Sequence, residues 1–220
     1  MVASAFLPVA WHKGKMYFLF GKERDEDSSP GFSDFGGGVE KKEDIYEAGL
    51  REMAEETTGF FGGPDEIRAY VDRNGGVYPL VHDKYHIHIF RCDYEPNLIE
   101  YYNRSHKFIY DHMDHDYLKK TKIFEKVEIQ WMTLEDMKRR RPEFRHFYRV
   151  ILDKIIKESP NIMEFIRTHG KGKGKGKQNS KTRRFDRYAS ENNQKQNGMM
   201  PRVNVSVSYT HLTLPTIYSV

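Results

Sequence analysis

The sequence predicts an α/β layered domain followed by a disordered basic tail, and three observations carry this prediction. Short apolar runs typical of strands alternate with segments of helical periodicity over residues 1–169. The segment after Arg141 carries one wide apolar stripe at three- and four-residue steps. From Gly170 onward, lysine, glycine and polar residues dominate, and such a composition cannot bury enough apolar surface to offset the entropy of ordering.

The first two strands are predicted to form a hairpin. Ala5–Trp11 is apolar, residues 12–15 read as a turn, and Met16–Phe20 is the short apolar run expected of a buried strand. A polar loop over 21–31 then leads toward three consecutive glycines, Gly36, Gly37 and Gly38.

The middle of the domain is predicted to hold one helix and two strands. Glu43–Thr57 has helical periodicity, and Gly59 is placed to end that helix. We expect a strand at Ile67–Val71, a turn at 73–76 and a clearer strand at Lys84–Tyr94.

The last third of the domain begins with an insertion. Residues 95–122 are rich in Tyr, His and Asp without a firm period, so we expect a partly helical insertion. A strand at Phe124–Met132 precedes a short helix with Thr133 as its N-cap. The apolar stripe from Phe144 to Ile156 predicts a long helix, and Pro160 is expected to begin another short one.

The net charge of +4 hides an asymmetry along the chain. Residues 166–220 carry a net charge of +9, whereas residues 1–165 carry −5. The chain is therefore an acidic domain with a basic tail, which we place at 170–202. The segment VSYTHLTLPT near the end resembles the translation of a sequencing adaptor, so we expect residues 203–220 to be a non-native terminus.

Composition also bounds the compartment and the partners. The single cysteine, Cys92, excludes an intramolecular disulfide and fits a reducing compartment, which we expect to be the cytoplasm. No stretch approaches the roughly 18 apolar residues that a membrane span needs. We therefore expect no membrane partner.

Three carboxylates crowd one flank of the first predicted helix. Glu52, Glu55 and Glu56 lie at three- and four-residue spacing, where like charges repel. They also lie near the negative end of the helix dipole, where anions are disfavoured. A hard divalent cation such as Mg²⁺ or Mn²⁺ resolves both conflicts. A solvated surface helix with ion pairs such as Arg51–Glu55 is the alternative that the charges alone leave open.

The spacing of these residues resembles the Nudix box, G-x5-E-x7-R-E-U-x-E-E-x-G-U, in which U is a bulky apolar residue. Gly37 begins the match, Glu43 follows six residues later, and Arg51–Glu56 matches without a gap. The sequence departs from the box at the helix exit, where Thr57 and Thr58 both precede the glycine. The resemblance implies the α/β/α sandwich with a mixed sheet that the family shares.

The resemblance also implies an activity and a set of roles. The activity is Mg²⁺-dependent (or Mn²⁺-dependent) hydrolysis of a nucleoside diphosphate linked to another moiety. Glu52, Glu55 and Glu56 would be the metal ligands, Arg51 would hold Glu52 by an ion pair, and Glu43 would brace the loop or assist the metal indirectly.

Other residues are candidates for the substrate side of the site. The three glycines lack a Cβ, so their turn can adopt positive φ and lie close to a phosphate. Lys22 and Arg24 follow an apolar strand and are candidates to contact the phosphates, or else solvated strand-end charges. Glu128, with Glu125 beside it, is the candidate base for the attacking water, and an edge-strand charge is the alternative interpretation.

Histidines and acidic residues elsewhere are weaker candidates. His86 and His88 share one face of a strand near His82, and we expect a packed or cleft-lining role in preference to a zinc site. The insertion carries a polar cluster that we expect to be solvated: Asp111, His112, Asp114, His115 and Asp116.

The basic tail favours particular partners. Its lysines and arginines, interleaved with Phe185 and Tyr188, suit salt-sensitive contact with RNA phosphates. The expected substrate is therefore a nucleotide-type small molecule or an RNA 5′ end, from which a cap or pyrophosphate would be removed. Two other classes remain open: a non-catalytic Nudix-fold protein that binds RNA, and a diphosphate isomerase that would recruit Cys92.

Overall fold

The computed structural model describes residues 1–24, 28–121 and 125–169. These residues fall within the unit Met1–Gly174. The predicted basic tail at 170–202 and the expected non-native terminus at 203–220 lie outside the described residues.

Seven strands, six α-helices and one short 3₁₀-helix make up the described ranges. The strands are β1 (Ala3–His12), β2 (Lys15–Glu23), β3 (Gly31–Ser33), β4 (Phe35–Gly38), β5 (Val77–His82), β6 (Tyr85–Cys92) and β7 (Lys126–Thr133). The helices are α1 (Ile45–Glu56), α2 (Pro64–Arg73), α3 (Pro96–His112), α4 (His115–Thr121), α5 (Leu134–Arg139), the 3₁₀-helix Arg141–Glu143 and α6 (Tyr148–His169).

The seven strands form one mixed sheet around β1. β1 runs parallel to β6 along most of its length and antiparallel to β2 and β4, which share its other edge. β2 continues the sheet by pairing antiparallel with β3 and β7, and β5 pairs antiparallel with β6. The pairing of β4 with the start of β1 brings the three glycines to one end of the sheet, with Gly38 opposite Ala3 and Gly36 opposite Ala5.

Helices cover both faces of this sheet. On one face, Phe18, Phe20 and Ile89 form an apolar cluster with residues of α6 such as Leu152 and Ile155. On the other face, strand residues form a second cluster with Leu50 and Met53 of α1, Val71 of α2 and Tyr102 of α3. The predicted α/β/α layering with a mixed sheet is therefore confirmed.

Helix α1 begins where the sequence places it and lies unusually close to β1. The Asp44 carboxylate caps the helix by accepting a hydrogen bond from Tyr46 N at 2.8 Å. A Cβ added at Gly49 would come within 2.7 Å of Ser4 Oγ and 2.9 Å of the Phe6 ring. The absence of a side chain at Gly49 lets the carboxylate-bearing helix rest directly on the central strand.

The strand predicted at Ile67–Val71 is wrong, since these residues belong to helix α2. Pro64 stands in its first turn, Asp65 and Glu66 suit the positive end of the helix dipole, and the two buried residues Ile67 and Val71 are four apart. A short apolar segment does not by itself distinguish strand from helix. The strand of this region is β5, which the sequence interpretation missed.

The predicted helix boundary at Pro160 is also wrong. Helix α6 continues through Pro160, which is exposed. Residues on both sides of the proline, such as Ile155 and Ile162, belong to one apolar cluster with the sheet. Their packing keeps the helix continuous although Pro160 has no N–H for the helical hydrogen bond. The long helix starts later than expected, because Arg141–Glu143 forms a 3₁₀-helix before α6 begins at Tyr148.

Other predictions for the last third hold. The partly helical character predicted for residues 95–122 is confirmed by two helices, α3 and α4. Thr133 caps α5, with Asp136 N donating to Thr133 Oγ1 at 3.2 Å and Thr133 N donating to Asp136 Oδ2 at 3.1 Å. None of the helices in the described ranges has the length and apolar character to cross a membrane.

Candidate active site

Strand β4, which carries the three glycines, borders the candidate site. Two of its glycines allow neighbouring residues to pack closely against its backbone. A Cβ at Gly36 would lie 2.3 Å from the Cβ of Ala5, and a Cβ at Gly37 would lie 2.6 Å from the carboxylate of Glu52. Gly37 thus leaves room for the Glu52 carboxylate against the backbone. The positive φ expected at Gly36, Gly37 and Gly38 is absent, since all three have ordinary strand geometry.

Arg51 binds two of the carboxylates in the segment that resembles the Nudix box. Its Nε and Nη2 donate to the two oxygens of Glu43 at 2.9 and 3.0 Å, and its Nη1 donates to Glu52 Oε1 at 2.8 Å. Nη2 also donates to the carbonyl of Gly38 at 3.2 Å, and Nη1 lies 3.6 Å from Glu55 Oε2. The hydrogen bonds from Arg51 hold the pKa of Glu43 below its usual value. One guanidinium therefore ties the loop, the glycine strand and helix α1 together.

Glu56, on the same helix, is buried and has partners of its own. Gly36 N donates to its Oε2 at 2.8 Å, and its Oε1 lies 3.1 Å from the ammonium of Lys126 on β7. Burial raises the pKa of Glu56 to about 8, and the charge of Lys126 opposes that rise. Burial would lower the pKa of Lys126, but the charges of Glu56 and Glu23 outweigh it and raise that pKa instead.

The three expected metal ligands have suitable chemistry but do not converge. Within residues 1–24, 28–121 and 125–169, no group of three or more His, Cys, Asp or Glu side chains is arranged to hold a metal ion. Oxygen donors are what Mg²⁺ and Mn²⁺ prefer. A carboxylate oxygen has two lone pairs and can accept a second partner, so the bonds from Arg51 to Glu52 and from Lys126 to Glu56 are compatible with a bound divalent ion.

The exit of helix α1 explains the departure from the expected motif. Thr58 N donates to Glu55 O at 2.9 Å, and Gly59 N donates to Ala54 O at 3.0 Å. This pair of bonds is the Schellman ending, which needs positive φ at the first residue beyond the cap. That residue is Thr58, with φ of 51°. A threonine therefore takes the left-handed position that the motif reserves for glycine, and Gly59 continues with φ of 71°.

Helix α3 of the insertion anchors this end of α1 to β7. The Tyr102 hydroxyl lies 3.0 Å from the carbonyl oxygen of Glu56 and 2.8 Å from that of Lys126. Asn103 holds the backbone of Ile129, accepting from its N–H at 2.9 Å and donating to its carbonyl at 3.3 Å. Sequence reasoning missed Tyr102 and Lys126, because neither belongs to a motif and each reaches the site only through the fold.

The remaining candidates lie around the ends of β2 and β7. Lys22 pairs in register with Glu128 across these strands, and the charge of Glu128 acts on Arg140. The charge of Glu125, by contrast, contributes to raising the pKa of Glu56. Arg24 follows β2, and burial together with the charge of Arg24 lowers the pKa of His106 on helix α3.

His88 and Cys92 are both packed into the domain. The His88 ring lies between Phe6 and Tyr46, with centroids 4.9 and 5.0 Å away, and burial lowers its pKa to about 4. This is the packed role expected for the strand histidines. Cys92 is buried opposite Ala10, about five strand positions or roughly 16 Å from the glycines. Burial raises the pKa of its thiol, which argues against the isomerase alternative.

Comparison with known proteins assigns the family. Residues 3–154 match the family model of the NUDIX domain. The chain therefore belongs to the Nudix family, whose members generally depend on a divalent metal, and it is a hydrolase that acts on pyrophosphate bonds. No curated protein sequence matches the chain.

Several solved structures share the fold at low sequence identity. An Ap4A hydrolase from C. elegans, in a binary complex, is 12% identical with a TM-score of 0.44, covering 74% of this chain and 98% of its own. The Nudix hydrolase RenU from M. smegmatis is 10% identical with a TM-score of 0.42, covering 74% and 88%. The NUDIX domain of Shewanella oneidensis NrtR, complexed with ADP ribose, is 9% identical with a TM-score of 0.40, covering 74% and 88%. Because these values are low, the family assignment rests on the domain match.

Proposed function

We propose that this protein is a Mg²⁺-dependent pyrophosphohydrolase that cleaves a nucleoside diphosphate linked to another moiety into a nucleoside monophosphate and a phosphorylated product. The observation that carries the proposal is the Arg51 centre. Its guanidinium binds Glu43 and Glu52 and lies beside Glu55, next to the glycine strand of a matched NUDIX domain.

The residues that would hold the ion are Glu52, Glu55 and Glu56. When bound, a divalent ion neutralises charge that grows on the leaving phosphate and lowers the pKa of water. Arg51 keeps the Glu52 carboxylate against Gly37. This fixed placement means that little reorganisation is needed when the substrate arrives.

The chemical step is the attack of a water oxygen on phosphorus, opening the bridging P–O bond, while a base accepts the water proton. We propose Glu128 as that base, with Glu125 as the alternative, and Glu128 stands opposite Lys22 in the register of β2 and β7. Lys22 and Arg24, at the end of β2, are proposed contacts for the substrate phosphates. Glu125→Gln and Glu128→Gln are the paired variants, and the loss of the acidic limb of the pH–rate profile identifies the base.

A second candidate substrate is the 5′ end of RNA. The observation that favours it is the net charge of +9 on residues 166–220, with aromatic residues interleaved. Deleting the residues beyond Gly170 is expected to weaken RNA binding and to flatten its salt dependence. An unchanged salt slope would remove the reason for proposing RNA.

A product screen separates these possibilities. The purified protein is incubated with Mg²⁺ and nucleotide sugars, dinucleoside polyphosphates, oxidised dNTPs, capped RNA or triphosphorylated RNA, and products are resolved by chromatography. Release of a nucleoside monophosphate from a small nucleotide supports the first proposal. Cleavage of RNA alone supports the second, and binding of RNA without cleavage of any substrate points to a non-catalytic Nudix-fold protein.

A further inference from the structure

Lys126 is a buried ammonium whose three partners come from three different elements. Its Nζ lies 2.5 Å from Glu23 Oε1 on β2, 3.1 Å from Ser33 Oγ on β3 and 3.1 Å from Glu56 Oε1 on α1. The side chain is fully buried. An ammonium has three N–H donors, so the number of partners equals the number of donors. A buried charge that is fully bonded in this way is held in one position.

The fold makes room for this lysine. A Cβ added at Gly21 would lie 2.7 Å from Lys126 Cγ and 2.8 Å from its Cδ. The aliphatic stem of Lys126 therefore runs directly over the backbone of Gly21 on the neighbouring strand. Gly21 has no positive φ, so the space it leaves accounts for a glycine at this position.

The backbone of Lys126 is fixed together with that of Glu56. The Tyr102 hydroxyl lies within hydrogen-bond distance of both carbonyl oxygens, at 2.8 and 3.0 Å. Its single proton can be donated to one carbonyl or shared between the two. Lys126 and Glu56 are thus joined twice, through their side chains and through this hydroxyl.

We propose that Lys126 is a positioning residue that fixes the carboxylate of Glu56 for metal binding, an inference that rests on the proposed metal-dependent hydrolysis. Gly36 N–H holds Oε2 of Glu56, and Lys126 holds Oε1. Two bonds to two different oxygens set the plane and direction of the carboxylate. Without the ammonium, one of these two constraints is lost and the buried Glu56 carboxylate loses its counterion, whereas Glu23 keeps its ion pair with Arg145 at 2.6 Å.

The test compares Lys126→Met with Glu23→Gln. Methionine matches the apolar stem of lysine as far as Cε but lacks the ammonium. Glutamine at position 23 changes the charge of the same cluster but leaves Lys126 bonded to Glu56. Mn²⁺ affinity is measured from the electron paramagnetic resonance signal of free Mn²⁺. The kinetic constants kcat and KM are measured with the best substrate found in the product screen. Folding is checked by circular dichroism and thermal unfolding.

Lys126→Met is expected to weaken Mn²⁺ binding about tenfold or more and to lower kcat with KM nearly unchanged. Glu23→Gln is expected to lower thermal stability while keeping Mn²⁺ affinity within about twofold. If Lys126→Met does not fold, the inference is tested with Gly21→Ala. The Cβ of the new alanine displaces the stem of Lys126 without removing a charge. A loss of Mn²⁺ affinity in folded Gly21→Ala supports the inference.

Wild-type Mn²⁺ affinity and kcat in Lys126→Met, or in Gly21→Ala when the first variant does not fold, would overturn the inference while the proposed function stands. Equal loss of Mn²⁺ affinity in Lys126→Met and Glu23→Gln would also overturn it, because the loss would then not depend on the bond between Lys126 and Glu56. A wild-type protein that neither binds Mn²⁺ nor hydrolyses any substrate overturns the proposed function itself.

Discussion

Glu43 and Arg51 form a bidentate ion pair across the loop that precedes helix α1, with Nε–Oε1 and Nη2–Oε2 distances of 2.9 and 3.0 Å. The pair is mostly shielded, with side-chain exposures of 25% for Arg51 and 17% for Glu43. Because the same guanidinium also binds Glu52, the geometry of the loop and of a proposed metal ligand are set by one residue.

Arg51→Lys keeps the charge but cannot make the bidentate contact. We expect it to lower the free energy of unfolding by about 1–2 kcal/mol and kcat by about tenfold. The matched control is Arg68→Lys, which alters an exposed ion pair with Glu47 between α2 and α1. It should leave both the urea-unfolding midpoint and kcat close to those of the wild type. Equal effects of the two substitutions would contradict the role given to Arg51.

Thr58→Gly is expected to stabilise the protein. Thr58 has φ of 51°, a left-handed conformation that is costly for a β-branched residue and free for glycine. The expected gain is about 0.5–1 kcal/mol in urea unfolding. Gly59→Ala is the opposite test, because Gly59 has φ of 71° and open space around its Cβ position, so a loss of about 1 kcal/mol there would come from backbone conformation alone. A destabilised Thr58→Gly variant would contradict this account of the helix exit.

Asp34 makes stability depend on pH. It is buried, accepts a hydrogen bond from the Tyr85 hydroxyl at 2.6 Å, and has a pKa raised by burial from 3.8 to about 6. A carboxyl whose folded pKa is raised contributes its full stability below pH 3.8 and loses it as the pH rises toward 6. The loss corresponds to about 3 kcal/mol.

Asp34→Asn removes this titration and keeps an oxygen that can accept from Tyr85. Relative to wild type, the variant should therefore gain about 3 kcal/mol in free energy of unfolding between pH 3.5 and pH 7. Urea unfolding at a series of pH values measures the free energy of unfolding of the variant and of the wild type. The titration of other groups cancels in the difference between the two free energies. A difference that stays constant with pH would show that folding does not raise the pKa of Asp34.

The parts of the site that are local in sequence could be predicted from it. The periodicity of α1 and the spacing of Glu52, Glu55 and Glu56 depend on residues within two turns of one another. The cap at Thr133 follows from the same short-range chemistry. Where periodicity was short, as at Ile67–Val71, the residues alone did not separate a helix from a strand.

The interior of the site could not be predicted, because it joins residues that are far apart in the chain. Lys126 and Glu23 are separated by 103 positions and Tyr102 and Glu56 by 46. A lysine at the start of a strand is usually solvated, and nothing in its sequence neighbours indicates that Gly21 leaves space for its stem. The pairing of β2 with β7 in the sheet brings Glu23 and Lys126 together.

The most direct test of the central claim is the Mg²⁺-dependent turnover of Glu55→Gln. Glu55 is half exposed beside Arg51, so its amide replacement should fold like the wild type. We expect kcat at saturating Mg²⁺ to fall at least about a hundredfold, because an amide oxygen is a weaker ligand for a hard cation than a carboxylate. Glu47→Gln on the same helix is the control and should keep wild-type turnover. Full activity in folded Glu55→Gln would contradict the claim that these carboxylates hold the metal that hydrolyses the pyrophosphate bond.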